Sequence, residues 1–223
     1  MFHVKKIAFF FIAFLAVLHS KAQGSYSYKV STQSFHIRQD SALILQLQSN
    51  PTFNQLPKFQ KELLYTLNYV RLYPVQFKSE ALDPYLAAYP QLKPNFGEGL
   101  QKELLKLKPV PLTMANSKLL PLATSHAADL AGHEIISHTS SNGTSFQQRL
   151  ANAQISCGSE CINVGSPVSA LEVVLSLLID YNVASLGHRH SLLNPTMVQA
   201  GVGVSTNKSD GKLQYTVIDL GCF

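Results

Sequence analysis

The chain has 223 residues, of which 46% are hydrophobic, and it carries 18 Lys and Arg against 13 Asp and Glu. Three of the basic residues, Lys5, Lys6 and Lys21, lie within the first 22 residues, where there is no acid. The rest of the chain is therefore close to neutral and has no basic run, which argues against a nucleic-acid partner. About 200 residues of ordinary composition are enough for one domain with a proper core.

The N-terminus has the pattern of a secretory signal peptide. Lys5 and Lys6 precede an apolar run from Ile7 to Leu18, and small residues up to Ala22 follow. The run is shorter than the ~20 apolar residues that span a bilayer, and no second such run follows. We therefore predict a signal peptide over residues 1–22, no transmembrane anchor in the mature chain, and secretion to the periplasm or the exterior.

Three cysteines lie in the mature chain: Cys157, Cys161 and Cys222. In an oxidising compartment at most two of them can pair within the chain. Cys157 and Cys161 are spaced C-x-x-x-C, which is not the C-x-x-C of thioredoxin-like redox sites. We expect a structural disulfide from Cys222, at the end of the last predicted strand, to either Cys157 or Cys161.

The predicted elements begin after a polar N-terminal extension, residues 23–57, whose structure the sequence leaves uncertain. Apolar residues then recur at helical spacing, which predicts a helix from Lys58 that ends before Pro74. The proline-rich stretch from Ala81 to Pro111 predicts a loop with short helical turns. A second helix is expected from about Asn116, a good cap, to Gly132 or slightly beyond.

Helices and strands alternate in the remaining third of the chain. The predicted elements are a short helix at 146–152, a strand at 160–164, a long helix from about 169 to 182, and two strands at 200–205 and 213–219 that form a hairpin. Helices that cover a small sheet make an α/β architecture. We assign residues 58–223 to this domain.

Several short sequence motifs occur in the order found in one secreted superfamily. They are Leu67-Asn68-Tyr69-Val70-Arg71, Ser125-His126-Ala127-Ala128-Asp129, Ser137-His138 with Gly143 after it, Glu160-Cys161-Ile162-Asn163-Val164-Gly165, Gly187-His188-Arg189 and Gly201-Val202-Gly203-Val204. The set resembles the CAP superfamily (cysteine-rich secretory proteins, antigen 5 and pathogenesis-related proteins) and its SCP-like domain in secreted bacterial members. The resemblance implies an α-β-α sandwich with a small antiparallel sheet covered by helices.

The resemblance also implies a cavity lined by two histidines and usually two acids. Transfer residue by residue places them at His126, Glu160 and His188, with Asp180 nearest to the fourth position. His126 and His188 would then be metal ligands for zinc or another divalent cation, completed by a carboxylate and water. Alternatively, the same His and Glu side chains bond one another and position a water for acid/base work.

Simpler interpretations exist for the individual histidines. His126 can be a hydrogen-bonded helix histidine paired with Asp129. The segment from His133 to His138 does not match the H-E-x-x-H of zinc proteases, because the second histidine comes five residues after the first. We therefore expect His138 to fix the loop after the helix, His133 to be solvated and His190 to lie at the surface or a rim.

Three functions remain open on the sequence. The favoured one is a secreted binding module, without turnover, whose cavity holds a metal ion or a small ligand such as a lipid. The second is a peptidase-like hydrolase that uses His126, Glu160 and His188, although there is no G-x-S-x-G nucleophile elbow and no phosphate-binding glycine loop. The third is an envelope or host-interface protein that binds a protein partner and has no working site.

Overall fold

The structure is a computed structural model that describes residues 24–27, 34–166, 169–209 and 211–222. The predicted signal peptide lies outside these residues. Within them, no helix combines the length and the apolar character needed to cross a membrane.

Within the described residues, five strands form one sheet in the order β1-β3-β5-β4-β2. The strands are β1 (Ser25–Ser27), β2 (Met114–Ala115), β3 (Gly158–Gly165), β4 (Gln199–Thr206) and β5 (Gln214–Gly221). The three long central strands are antiparallel, as predicted. The two short edge strands run parallel to their neighbours, which long connections permit and hairpins do not.

Helices cover both faces of the sheet. They are α1 (Ser41–Gln48), α2 (Pro51–Gln55), α3 (Lys58–Leu72), α4 (Pro74–Phe77), α5 (Asp83–Ala88), α6 (Glu98–Leu104), α7 (Leu119–His133), α8 (Phe146–Asn152), α9 (Ala170–Ile179) and α10 (Gly187–Leu193). The α-β-α sandwich predicted from the sequence is thereby confirmed. The predicted loop after Ala81 contains more helix than expected, because Pro84 and Pro90 each lie in the first turn of a short helix, where no backbone N–H is needed.

Helix α7 packs on one face of the sheet through two glycines of β4. A Cβ atom on Gly203 would lie 2.0 Å from the carbonyl oxygen of Ala123, and one on Gly201 would lie 2.2 Å from the carbonyl carbon of Leu119. Only glycine therefore permits this close approach, which holds His126 of α7 directly over the sheet.

Helices α3, α9 and α10 lie on the opposite face. Cys161, Ile218 and Leu220 point into this layer and belong to the largest hydrophobic cluster. Side chains from the predicted extension, including Phe35 and Leu43, are buried in the same cluster. The boundary at residue 58 stays a prediction, but residues before it contribute to the core.

The structure also identifies the disulfide partner of Cys222. The bridge joins Cys222 to Cys157, with 5.6 Å between their Cα atoms, and Cys161 is a buried free thiol. One of the two predicted pairings is thus confirmed, and it ties the chain end after β5 to the residue before β3.

Candidate functional site

The buried carboxylate of Glu160, on β3, is the centre of a polar cluster on the α7 face. Its side chain is 1% exposed. One oxygen, Oε1, accepts a hydrogen bond from Nδ1 of His138 at 2.7 Å, and the other, Oε2, accepts one from Arg149 at 2.5 Å. Nε2 of His126 lies 3.7 Å from Oε1. Two histidines and an arginine therefore surround one carboxylate.

His126, on α7, lies next to this carboxylate and is fully buried. Its Nε2 donates to the backbone carbonyl of Ser137 at 2.8 Å, and its Nδ1 accepts from the hydroxyl of Ser140 at 3.2 Å. Burial lowers the pKa of His126, and this effect exceeds the opposite influence of the Glu160 charge. His126 is therefore a neutral imidazole with both nitrogens engaged.

Arg149 joins Glu160 to the loop before α8. It donates to the carbonyl of His138 at 3.1 Å, to the hydroxyl of Ser140 at 3.0 Å and to the carbonyl of Thr144 at 3.3 Å. Burial alone would raise the pKa of Glu160, but the hydrogen bond from His138 and the charge of Arg149 act in the opposite direction, and the pKa is lowered. Glu160 is therefore ionised, and its charge is balanced within the cluster.

His138 is the member of the cluster that reaches the surface, since 39% of its side chain is exposed. Its Nδ1 donates to Glu160, because an ionised carboxylate only accepts. In the neutral imidazole with its proton on Nδ1, Nε2 carries the lone pair. The sequence predicted that His138 fixes the loop, and the structure adds a direct contact with Glu160.

Asp219, on β5, is the strand neighbour of Glu160. The two residues lie directly opposite each other in the antiparallel register. Asp219 is fully buried, and its carboxylate receives no hydrogen bond from any N–H or O–H donor among the described residues. The sequence analysis missed both Asp219 and Arg149, because neither belongs to one of the family motifs. Only the fold brings them close to Glu160.

A second cluster, around Asp180 and His188, lies on the other face of the sheet. Nδ1 of His188 donates to Oδ1 of Asp180 at 2.6 Å. The hydroxyl of Ser25, on β1, lies 3.3 Å from the same Nδ1 and 3.5 Å from the same Oδ1. All three residues are buried. Ser25 falls in the extension, to which the sequence assigned no chemistry.

The second cluster connects two helices. Oδ2 of Asp180 accepts from the backbone amides of His188 and Arg189, at 3.0 and 3.4 Å, at the start of α10. Arg189 in turn donates to the carbonyls of Leu178 and Ile179 at the end of α9, at 2.6 and 2.9 Å. These contacts satisfy backbone groups that helix ends leave without partners. The Gly187-His188-Arg189 motif therefore connects the end of α9 to the start of α10.

The sheet separates the two clusters. Glu160 faces α7, whereas the thiol of the next residue, Cys161, lies 3.9 Å from the carbonyl oxygen of His188. Successive residues of a strand point to opposite faces. The expectation that His126, Glu160, Asp180 and His188 line one cavity is therefore corrected: the structure pairs His126 with Glu160 and His188 with Asp180, on different faces.

The described side chains do not fit the predicted metal site. No group of three His, Cys, Asp or Glu side chains among them is arranged to hold a metal ion. Both nitrogens of His126 are engaged, and His188 lies in the other cluster with its Nδ1 bound to Asp180. A site for zinc or another divalent cation on His126 and His188 would require both clusters to rearrange.

This fold, with its buried glutamate between two histidines, corresponds to a protein family. The family model "CAP: Cysteine-rich secretory protein family" matches residues 64–220, which is more than half of the chain. The protein therefore belongs to the CAP family, as its sequence motifs predicted. A search of curated protein sequences found no significant match.

The solved structures similar to this chain include three bacterial proteins. An outer surface protein from Borrelia burgdorferi is 20% identical with a TM-score of 0.42, over 63% of this chain and 92% of that one. An extracellular protein with an SCP domain from Bacillus anthracis is 19% identical with a TM-score of 0.35, over 58% and 39% of the two chains. A cysteine-rich secretory protein from Staphylococcus aureus is 19% identical with a TM-score of 0.35, over 59% and 38%. This chain thus spans well under half the length of the last two.

Proposed function

We propose that this CAP-domain protein is a secreted binding module that holds a small ligand at His138. One observation carries the proposal: His138 is half-exposed and is fixed by its hydrogen bond to the buried Glu160. The free lone pair of Nε2 accepts a hydrogen bond, so the ligand should offer a hydroxyl or an amide N–H at this position. The disulfide of Cys157 and Cys222 supports an oxidising compartment.

The loop beside His138 is held in one conformation, which favours binding. Ser140 N donates to the carbonyl of Thr144 at 2.9 Å, and Gly143 N donates to that of Ser140 at 2.8 Å. Gly143 has a φ of 85°, a conformation that glycine adopts easily. Both the N–H and the O–H of Ser141 donate to the carboxylate of Asp129. A surface ordered before binding loses less conformational entropy when a ligand arrives.

The peptidase-like alternative has weaker support. A serine hydrolase needs a histidine that contacts the serine through one nitrogen and an acid through the other. Ser25 approaches the same nitrogen of His188 that Asp180 occupies. Ser140 does approach His126, but the other nitrogen of His126 donates to the carbonyl of Ser137 at 2.8 Å, while Glu160 lies 3.7 Å away. Neither arrangement has the required geometry, and we favour binding without turnover.

The proposal is tested by NMR titration of the mature protein with two small probes, maltotetraose for hydroxyl donors and tetraglycine amide for amide donors. At least one probe should shift resonances of His138 and residues 139–145. A His138→Ala variant should bind it about ten-fold more weakly, as expected for the loss of one hydrogen bond.

The matched control is His133→Ala, because His133 is exposed and contacts Asp129 rather than Glu160. This variant should bind like the wild type. An absence of shifts with both probes, or shifts that persist in His138→Ala, would contradict the proposal. Zinc chloride added alone should leave His126 and His188 unperturbed; shifts at both would instead restore the predicted metal site.

A further inference from the structure

The Asp219 carboxyl is a buried polar group of the α7 face. It is fully buried, and neither of its oxygens accepts a hydrogen bond from a donor in the part of the chain that the structure describes. An ionised carboxylate in this position would lose its hydration and gain no donor, which costs several kcal/mol. The carboxyl group avoids that cost if it keeps its proton.

Among the side chains around Asp219, the carboxylate of Glu160 is the acceptor for such a proton. Glu160 lies opposite on β3, and residues opposite each other on one face have Cβ atoms within about 5 Å. On the other side, β4 presents Gly201, which has no side chain. The remaining titratable or charged groups of the cluster are Arg149 from α8, His126 from α7 and His138 from the loop between them, and each already contacts Glu160.

We propose that Asp219 is a positioning residue that is protonated at neutral pH and donates its proton to Glu160, so that the two carboxyl groups carry one negative charge. This inference rests on the proposed role of His138. Arg149 balances a single charge, so His138 remains neutral and Nε2 keeps its lone pair for the ligand. A second charge would favour the imidazolium form, in which Nε2 no longer accepts.

The direction of the pKa shifts agrees with this geometry. Burial raises the pKa of Asp219 well above its ordinary value, and the charge of Glu160 and the contact with its carboxylate raise it further. The pKa of Glu160 is lowered, and these opposite directions agree with a single shared proton on the Asp219 side of the pair.

The test is a pH titration of the ¹³C- and ¹⁵N-labelled mature protein without ligand. The carboxyl carbon of Asp219 should keep the chemical shift of the protonated form through neutral pH, while that of Glu160 shows a carboxylate. The ¹⁵N shifts of His138 should report a proton on Nδ1 and none on Nε2. An Asp219 carbon that shows a carboxylate at neutral pH would overturn the proposal, and this result needs no variant.

Two substitutions separate positioning from packing. Asp219→Asn retains an N–H donor for Glu160 and should leave the His138 ¹⁵N shifts as in the wild type. Asp219→Leu has no donor and should change them. Equal His138 spectra in both variants would contradict the positioning role.

The spectra distinguish this inference from the proposed function. Probe binding with an ionised Asp219 would overturn the inference alone. A protonated Asp219 without binding of either probe would overturn the proposed function alone.

Discussion

Two pairs of histidine and carboxylate, of the same chemistry, lie on opposite faces of one sheet. The pair of His138 and Glu160 has a hydrogen bond of 2.7 Å and a histidine that is 39% exposed. The pair of His188 and Asp180 has a hydrogen bond of 2.6 Å, and its side chains are 5% and 0% exposed. Such a pair can bind a ligand only where one imidazole nitrogen reaches solvent. Where both side chains are buried, the same pair stabilises the fold.

The largest effect should come from the arginine that balances Glu160. Arg149→Met leaves a buried carboxylate without its cation and should lower the free energy of unfolding by about 3–5 kcal/mol. Urea unfolding measures this change. Arg38→Met is a suitable control, because Arg38 is exposed and its guanidinium lies over the rings of Tyr69 and Tyr73. A loss no larger than that of the control would mean that Glu160 is not ionised in the folded protein.

A second substitution tests whether the two pairs act independently. Asp180→Ala removes the acceptor for two buried amides at the start of α10 and should cost about 2–3 kcal/mol of stability. Probe binding at His138 should be unchanged, because the sheet separates the two clusters. His138→Ala should weaken probe binding about ten-fold, and because it removes a donor to the buried Glu160 it should also cost about 1–3 kcal/mol of stability. A folded Asp180→Ala protein that no longer binds either probe would show that the clusters act as one site.

A smaller effect should appear in the pH dependence of stability. The pKa of His126 is lowered in the folded state, so below about pH 6.5 the unfolded chain binds a proton that the folded chain does not. Stability should therefore fall as the pH decreases through this window, by at most about 1.4 kcal/mol per pH unit for this group. His126→Gln removes the titrating group and should flatten the slope between about pH 7 and pH 5. Parallel slopes for wild type and variant would show that folding does not lower the pKa of His126.

The sequence predicted the elements well and the site poorly, for different physical reasons. Helices α3, α7 and α9 and the hairpin of β4 and β5 follow from local periodicity, which is a property of neighbouring residues. The partners of Glu160 depend on which helical layer covers its face of β3, and this is a tertiary property. The Gly187-His188-Arg189 motif could be matched to a family, but the motif alone does not show whether its histidine faces a cavity or a helix end.

Two further residues of the site had no sequence signal of their own. Asp219 looks like one polar residue in an alternating strand, and Arg149 looks like a solvated residue on a short helix. Only the register that places Asp219 opposite Glu160, and the packing of α8 beside the loop, reveal their roles.

Histidine modification by diethyl pyrocarbonate, mapped by mass spectrometry, tests directly whether His138 is the histidine that faces the ligand. The reagent acylates imidazole nitrogens that are accessible and unprotonated. His138 should be modified in the folded protein at a rate similar to that of exposed His133, whereas buried His126 and His188 should react only after unfolding. Modification of native His188 as fast as His133, with His138 protected, would contradict the assignment of the ligand-facing histidine to the α7 face.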